Sequence, residues 1–529
     1  MNKTLFYFLL VLLVASCTSV KKYNAQISSL HSAEELHHDV DKVHEQLQRW
    51  HPRLYQYVPK KELDKKFNAL KTSINGPMGS KEFHERLVSV INEVRQGHLN
   101  IRPPTYRFTK KQQKELLKRP FEFYDIDFEL LEDKLWVKDN QGNDSLIVGH
   151  EVLAFDKDLA AKLLDKYKRL FSSDGFNTTY QNRFVAQNFS NFYYVDKGFK
   201  DSLTLLLKKN DSIYFRTLRR IAKGQPEVKD TMTLQKPAVL SKTEKIAIKQ
   251  KEKHLRKTRK RAGRKRGYVP PRNYYLRNLD FIGNDSSVAY LKIRGFGHGN
   301  YNKFYKEAFA KIDSAGIENL ILDLRDNGGG SLDEIEKLYG YLSTTPFRFM
   351  NDAETKTRIP MTKAIFSQKR IGIFNEALRI LGGPGMMVYD MLNIRKKDGK
   401  LYRKFSGSKI KSPRKNNFKG KIYVLINGYS FSAASMLATN LQANKRAFFV
   451  GEETGGSYNG TVAGQTKYIE LPNSRVLLYF GLLQIETPHK TEPDGYGVKP
   501  DVEIIPTQKD RLQKRDPELE WVLGDIYKK

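Results

Sequence analysis

The sequence predicts an α/β core of strand–turn–helix units on a mixed sheet, preceded by an α+β module and an N-terminal helical segment. Three observations carry this. Near the middle and end of the chain, two apolar runs (from Asn319 and from Lys421) each pass through a glycine- or serine-rich turn into a helical pattern. From about Phe121 to Val228 the texture is short apolar runs broken by turns. Near the start, Leu36, Val40, Val43, Leu47 and Trp50 recur at helical spacing and stop at His51-Pro52. The expected boundaries are a leader over 1–16, the helical segment over 17–108, the α+β module over 120–228, a basic linker over 229–275, the core over 276–510 and a C-terminal helix over 511–529.

With 529 residues, 39% of them apolar and 29% charged, the chain can bury several cores and is not disordered throughout. No internal stretch approaches the roughly 20 apolar residues that span a bilayer, which excludes a multi-pass membrane protein. A single cysteine excludes a disulfide framework and thiolate zinc clusters. The net charge of +33 implies attraction to anionic surfaces.

That one cysteine is Cys17. It follows a basic start, an unbroken apolar run from Leu5 to Val14, and Ala15-Ser16. The layout resembles a bacterial lipoprotein signal, in which the cysteine becomes the lipidated first residue. The alternative is an ordinary signal peptide with a chance cysteine. Thr18-Ser19, with no aspartate, points to the outer membrane, so the expected location is the cell envelope, lipid-anchored, on the periplasmic face.

His37, His44 and His51 share one face of the first helix. Steps of seven residues put them about 10 Å apart along the axis, too far for shared metal ligation, so a solvated histidine face is expected. A second amphipathic helix is expected from about Lys81 to Arg95, with Gly97 as C-cap and His98 projecting from the loop beyond it. In the next region, Gly149-His150-Glu151-Val152-Leu153-Ala154-Phe155-Asp156 and the helix after it resemble part of a PDZ-like module; a nondescript α+β insert fits nearly as well. Between Lys242 and Arg266 lie thirteen Lys or Arg against two Glu. Such a block is expected to be a disordered or frayed helical loop, either merely solvated or touching anionic lipid or polysaccharide. It lacks interleaved aromatics, and no nucleic acid is expected.

The core carries the chemistry. The turn Asn327-Gly328-Gly329-Gly330-Ser331 lacks the Gly-Lys-Ser/Thr ending of a phosphate loop. Its alternative use is to aim backbone N–H groups at a developing oxyanion. The second turn, Asn427-Gly428-Tyr429-Ser430-Phe431-Ser432, opens a helix at Ala433, and Ser432 stands where the helix dipole favours negative charge.

At this point four blocks carry a resemblance. They are Asn319 to Gly330, Val424 to Ser435, Val450 to Gly456, and Gly497 to Asp501. In this order they resemble the tail-specific, or C-terminal processing, serine protease family. The resemblance implies a peptidase that forms an acyl-enzyme on Ser432, needs no cofactor or metal, and takes peptide or unfolded protein substrates. One branch of the family uses a Ser–Lys dyad, but Ser457 stands where that lysine would fall. The chain is therefore closer to the tricorn core protease-like branch with a histidine base. That branch implies His98 as base, Asp494 as acid with Glu492 in reserve, and an oxyanion hole from Gly328 or Gly329 with Ala433. A histidine near its usual pKa implies a rate that rises through about pH 6 to 7.5. Two other classes stay open: an inactive peptide- or envelope-binding scaffold of the same fold, and a surface-adhesion protein working through Lys242–Arg266.

Replacing Cys17 with serine is expected to move the protein from the membrane to the soluble fraction. Unchanged membrane retention and processing at the same bond would remove the lipoprotein reading.

Overall fold

The structure is a computed structural model that describes residues 19–140, 145–220, 242–270, 272, 274–368 and 373–528. Cys17 and the leader lie outside them.

The first module is helical. Helices α1 (Ala33–Trp50), α2 (Lys60–Ser73) and α3 (Ser80–Ile91) close around Leu36, Val40, Leu63, Phe67, Phe83 and Leu87. Ser32 and Glu35 start α1 with a reciprocal capping box. Strand β1 (Asn100–Arg102) follows and joins no strand of its own module.

The second module is an antiparallel sheet covered by helices. Its strands are β2 (Asp127–Leu131), β3 (Lys134–Asp139), β4 (Glu151–Phe155), β5 (Ser202–Lys209) and β6 (Ser212–Arg219), adjacent in that order. Helices α4 (Ala160–Lys168), α5 (Thr179–Gln187) and α6 (Phe189–Lys197) lie between β4 and β5 and share the core of Phe123, Phe155, Tyr167 and Phe189.

Lys242–Arg266, expected as a disordered or frayed loop, forms a continuous helix, α7. Its C-terminal end is tethered: Asn300 donates to Arg264 O at 2.7 Å, and Lys265 pairs with Glu307. Tertiary contacts at one end offset the repulsion that the composition alone implies.

The third module holds a mixed six-stranded sheet. In spatial order it runs β7 (Arg277–Ile282), β8 (Val288–Ile293), β9 (Asn319–Asp323), β12 (Lys421–Ile426), β13 (Phe448–Gly451) and β16 (Val502–Glu503); β7 is antiparallel to β8 and the other pairings are parallel. Helices α8 (Tyr301–Ser314), α9 (Leu332–Leu342) and α12 (Ala433–Ala443) cover one face, and α13 (Pro517–Tyr527) packs on the other. Between α9 and β12 come α10 (Pro360–Ser367), α11 (Ile373–Asn393) and a hairpin of β10 (Ile394–Lys397) and β11 (Lys400–Arg403). After β13, strands β14 (Lys467–Glu470) and β15 (Leu477–Phe480) leave the main sheet and pair with each other. Strand β15 then takes β1 as its other neighbour, so Leu478 faces Ile101 and Tyr479 faces Asn100. This pairing joins the first module to the third.

The histidine face is not solvated. His51 is fully buried against Phe480, and neither ring nitrogen has a partner. His44 stacks on Phe67 and pairs with Asp64 at 3.0 Å, and His37 Nε2 meets Ile74 O at 2.8 Å. The face expected to meet water is covered by α2 and β15, which the spacing along α1 could not reveal. Burial lowers the pKa of His51 to about 3, so it is neutral in the fold and titrates only when unfolded. The unfolded chain therefore binds the extra proton below about pH 6.5, and stability falls as pH drops. From pH 6.5 to 5 this one group costs about 2 kcal/mol. Urea titrations at pH 7.5 and 5 are expected to show that loss, and His51→Leu is expected to flatten it. An equal drop in both proteins would exclude His51 as its source.

Candidate active site

Ser432 stands at the C-terminal edge of the main sheet, between β12 and α12. Its backbone has φ +56° and ψ −116°, a left-handed conformation that is costly for a residue with a Cβ. The turn is held from several sides. Ser430 Oγ donates to Leu324 O at 2.8 Å and accepts from Asn427 N, and Phe431 N donates to Asn327 O at 3.0 Å. Ser435 Oγ donates to Ser430 O at 2.8 Å. Ser430 and Ser435 are thus structural, whereas the Ser432 side chain makes no cap hydrogen bond. A serine at a helix start is most often a cap; this one is held in a strained turn with its hydroxyl free.

Two glycines wall the serine. A Cβ on Gly329 would fall 2.8 Å from Ser432 Cβ, and one on Gly456 would fall 2.9 Å from Ser432 N. Gly329 also has φ +100°. Only glycine allows the first turn to approach the second this closely. Among the described residues, no acceptor takes the N–H of Gly328 or Ala433. The Gly329 N–H is engaged, donating to Asn327 Oδ1 at 2.9 Å. Of the two glycines expected as oxyanion donors, Gly328 alone keeps a free N–H, because the asparagine side chain folds back on its own turn.

His98 reaches this turn from the first module. It lies two residues before β1, so the β1–β15 pairing delivers it. Its ring packs on Phe431, centroids 4.9 Å apart. The helix ends sooner than expected, with Ile91 last in α3, a short 3₁₀ turn over Asn92–Val94, and Arg95 in the left-handed region at φ +53°. Gly97 is not the cap. It is needed for close approach, since a Cβ there would sit 2.8 Å from the Phe431 ring. His98 Nε2 is enclosed and has no partner, and burial lowers the ring pKa to about 4. His98 and Ser432 meet through Phe431 and share no hydrogen bond.

The expected acids lie elsewhere. Asp494 accepts from Gln56 Nε2 at 3.0 Å, Asn459 Nδ2 at 3.0 Å and its neighbour Gly495 N at 2.7 Å. Glu492 takes the Asp494 N–H at 3.2 Å on the exposed side. Neither carboxylate bonds or pairs with His98. Asp494 reaches the histidine loop only through amides, because Gln96 Nε2 donates to Gln56 Oε1 at 3.1 Å.

The carboxylate that touches the histidine loop is Asp174, which the sequence reading did not single out. Its Oδ1 accepts from Gly97 N at 2.8 Å and from Thr461 Oγ1 at 2.9 Å, while Oδ2 is buried without a partner. Its loop also ties Gly175 N to Arg95 O at 2.8 Å and Phe176 N to Gly495 O at 2.7 Å. Burial raises the Asp174 pKa to about 6, against the hydrogen bonds from Gly97 and Thr461. The one local signal was Ser172-Ser173-Asp174-Gly175, a polar turn that composition cannot separate from any surface loop.

Ser457 stands at the position where a lysine base would fall. Ser457 Oγ accepts from Asn459 N at 3.3 Å. Lys467 lies over the Trp50 ring, among Lys363, Arg49 and Lys42.

Residues 287–504 match the profile of peptidase family S41. A tail-specific protease of Haemophilus influenzae is 25% identical over 177 residues, which are 33% of this chain and 18% of that relative. Mature CPAF complexed with lactacystin superposes with a TM-score of 0.60 at 16% identity, covering 93% of this chain and 98% of that one. Mature CPAF alone gives 0.57 at 14% identity, covering 93% and 96%. The class to which residues 287–504 are similar is that of the S41 peptidases, and the chain spans less than a fifth of the curated relative it matches. The mixed α/β architecture is similar to that of CPAF, and a third of the chain is similar to tail-specific protease.

Asp174→Asn keeps the Oδ1 acceptor and removes the charge. A folded pKa above the unfolded value means the fold is less stable once pH rises through about 6. Thermal denaturation is expected to show Asp174→Asn more stable than wild type at pH 8 and nearly equal to it at pH 4. Asp174→Ala, which loses the acceptor, is expected to be less stable at both. Equal destabilisation by Asn and Ala at pH 8 would contradict a buried charge at this position.

Proposed function

We propose that the chain is an envelope serine endopeptidase of the tail-specific type, acting through an acyl-enzyme on Ser432 with His98 as general base. The observation that carries this is the strained, uncapped Ser432 between the free N–H groups of Gly328 and Ala433, with His98 brought onto its turn by a strand from another module.

The steps follow from what each group can do. His98, neutral above about pH 4, accepts the Ser432 proton as the oxygen attacks the peptide carbonyl. The Gly328 and Ala433 N–H groups hold the oxyanion, each such donor lowering the barrier by about 3 kcal/mol. His98 returns the proton to the leaving amine, and water then cleaves the ester by the same route. Asp174 holds the histidine loop through Gly97, and Asp494 supports it from the other side through Gln56 and Gln96. This replaces the expected direct Asp494–His98 contact; Glu492 has no role at His98.

The antiparallel module is read as PDZ-like, presenting peptide beside the site. Substrates are peptides or unfolded proteins, held near the membrane by the Cys17 anchor, with α7 meeting anionic lipid or polysaccharide. No cofactor enters this scheme. A catalytically inactive scaffold is favoured by one observation, the absent His98–Ser432 hydrogen bond.

A fluorophosphonate probe separates these readings. It is expected to label wild type and not Ser432→Ala, whereas an inactive scaffold labels in neither. His98→Ala is expected to lower kcat by about 10⁴-fold or more with the fold intact. Because a protonated His98 cannot accept the proton, kcat/KM falls as pH drops through its pKa, and burial moves that limb to about pH 4, below the 6 to 7.5 expected from sequence. A limb above pH 8.5, insensitive to His98, would falsify the histidine base in favour of a lysine.

A further inference from the structure

Helix α11 turns its apolar side outward. It is pinned at two points seven residues apart. A Cβ on Gly383 would lie 2.9 Å from the Phe366 ring of α10, and Asp390 accepts from Thr362 N at 2.8 Å and from Arg403 at 2.8 Å. With 100° per residue, Leu378, Leu381, Val388 and Leu392 fall on the opposite side. Leu381 is 78% exposed, Leu392 73% and Val388 56%. From Ile380 to Tyr389 there is no charged residue. The charges that flank this stretch are already neutralised, Arg379 by Glu376 at 3.2 Å and Asp390 by Arg403. Gly382-Gly383-Pro384-Gly385 is a poor helix former in water, so this apolar side is not exposed as a by-product of high helix propensity. A continuous apolar face of this kind marks a contact surface.

Cations gather beside its C-terminal end. The hairpin that continues α11 presents Lys396 and Lys397 exposed and without an ion pair among the described residues. On α10, next to the Thr362 that binds Asp390, Lys363 lies 4.1 Å from the Trp50 ring centroid, beside Lys467 and Arg49. Burial and their like-charged neighbours lower the pKa of both lysines, as expected of a cluster that lacks its counter-ion. Among the described residues no helix is long and apolar enough to cross a membrane. An apolar helix face with cations and a tryptophan beside it is built to lie in an interface.

We propose that α11 docks on an anionic bilayer surface, with Leu381, Val388 and Leu392 in the acyl boundary and the Lys363 and Lys396–Lys397 clusters at the headgroups. Charge complementarity selects this occupant. A second copy of a chain with net charge +33 would bring cation against cation. The contact is separate from the Cys17 anchor and from α7, and it does not depend on chemistry at Ser432.

The test needs a local reporter, because the leader and α7 also bind membranes on the reading above. The full chain carrying Cys17→Ser and Val388→Cys is labelled with an environment-sensitive fluorophore. It is then mixed with phosphatidylcholine vesicles with or without phosphatidylglycerol. The expected result is a blue shift, quenching by doxyl-labelled lipid only when the anionic lipid is present, and loss of both at high salt. Lys396→Gln with Lys397→Gln is expected to weaken the signal about fivefold per charge removed. Leu381→Gln with Leu392→Gln is expected to abolish it with far-ultraviolet circular dichroism unchanged. Vesicles that pellet the chain while the label stays unquenched would overturn the proposal, placing binding at the leader or α7. A label shielded without lipid, in proportion to protein concentration, would also overturn it, in favour of a second copy.

Discussion

Three residues of backbone pairing hold the site together. Asn100–Arg102 pairs with Leu477–Tyr479, and this ladder joins a helical module at the start of the chain to a sheet near its end. Remove the pairing and His98 has no reason to be near Ser432, 334 residues later in the sequence. Loop closure over such a distance is entropically costly. It is offset by the shared apolar core, in which Leu478, Phe480 and Leu482 pack among Val94, Leu99 and Ile101.

Around this ladder lies a small set of buried polar contacts that fix the approach of the loops. Asp174 binds Gly97 and Thr461 at once, and Asn327 binds both Ile293 O and its own turn. These groups are enclosed, so each missing partner costs more than each bond gains. The unpartnered atoms are therefore informative. His98 Nε2 and Asp174 Oδ2 are both buried and unsatisfied on two adjoining loops. Under the proposed mechanism, such atoms keep capacity for a proton or for substrate.

Charge is distributed in two ways. Inside, cations and anions are paired: Arg277 with Glu334 at 2.5 Å, and Asp323 with Lys292 and Arg325, which hold its carboxyl well below the usual range. Outside, the excess of cations collects on α7 and around α11, where no neighbouring acid neutralises all of it. Buried charges must be paired to be tolerated, whereas exposed ones need only solvent or an anionic surface.

The core strands and helices were legible in the sequence because their apolar periodicity is local. The glycine-rich turn and Ser432 were legible because a strand–turn–helix needs those residue types. The family resemblance rested on the same blocks. His98 was legible only through that resemblance, and its meeting with Ser432 only through the fold. The structure changed what depends on long-range packing: the engagement of the Gly329 N–H, the burial of His51, the ordering of α7 and the outward face of α11. It also gave Asp494 amide partners instead of His98, and put Asp174 at the histidine loop. Periodicity records which side of an element avoids water; it does not record which distant element comes to cover that side. A carboxylate in a polar turn reads as solvated until another loop closes over it, and only the tertiary structure decides that.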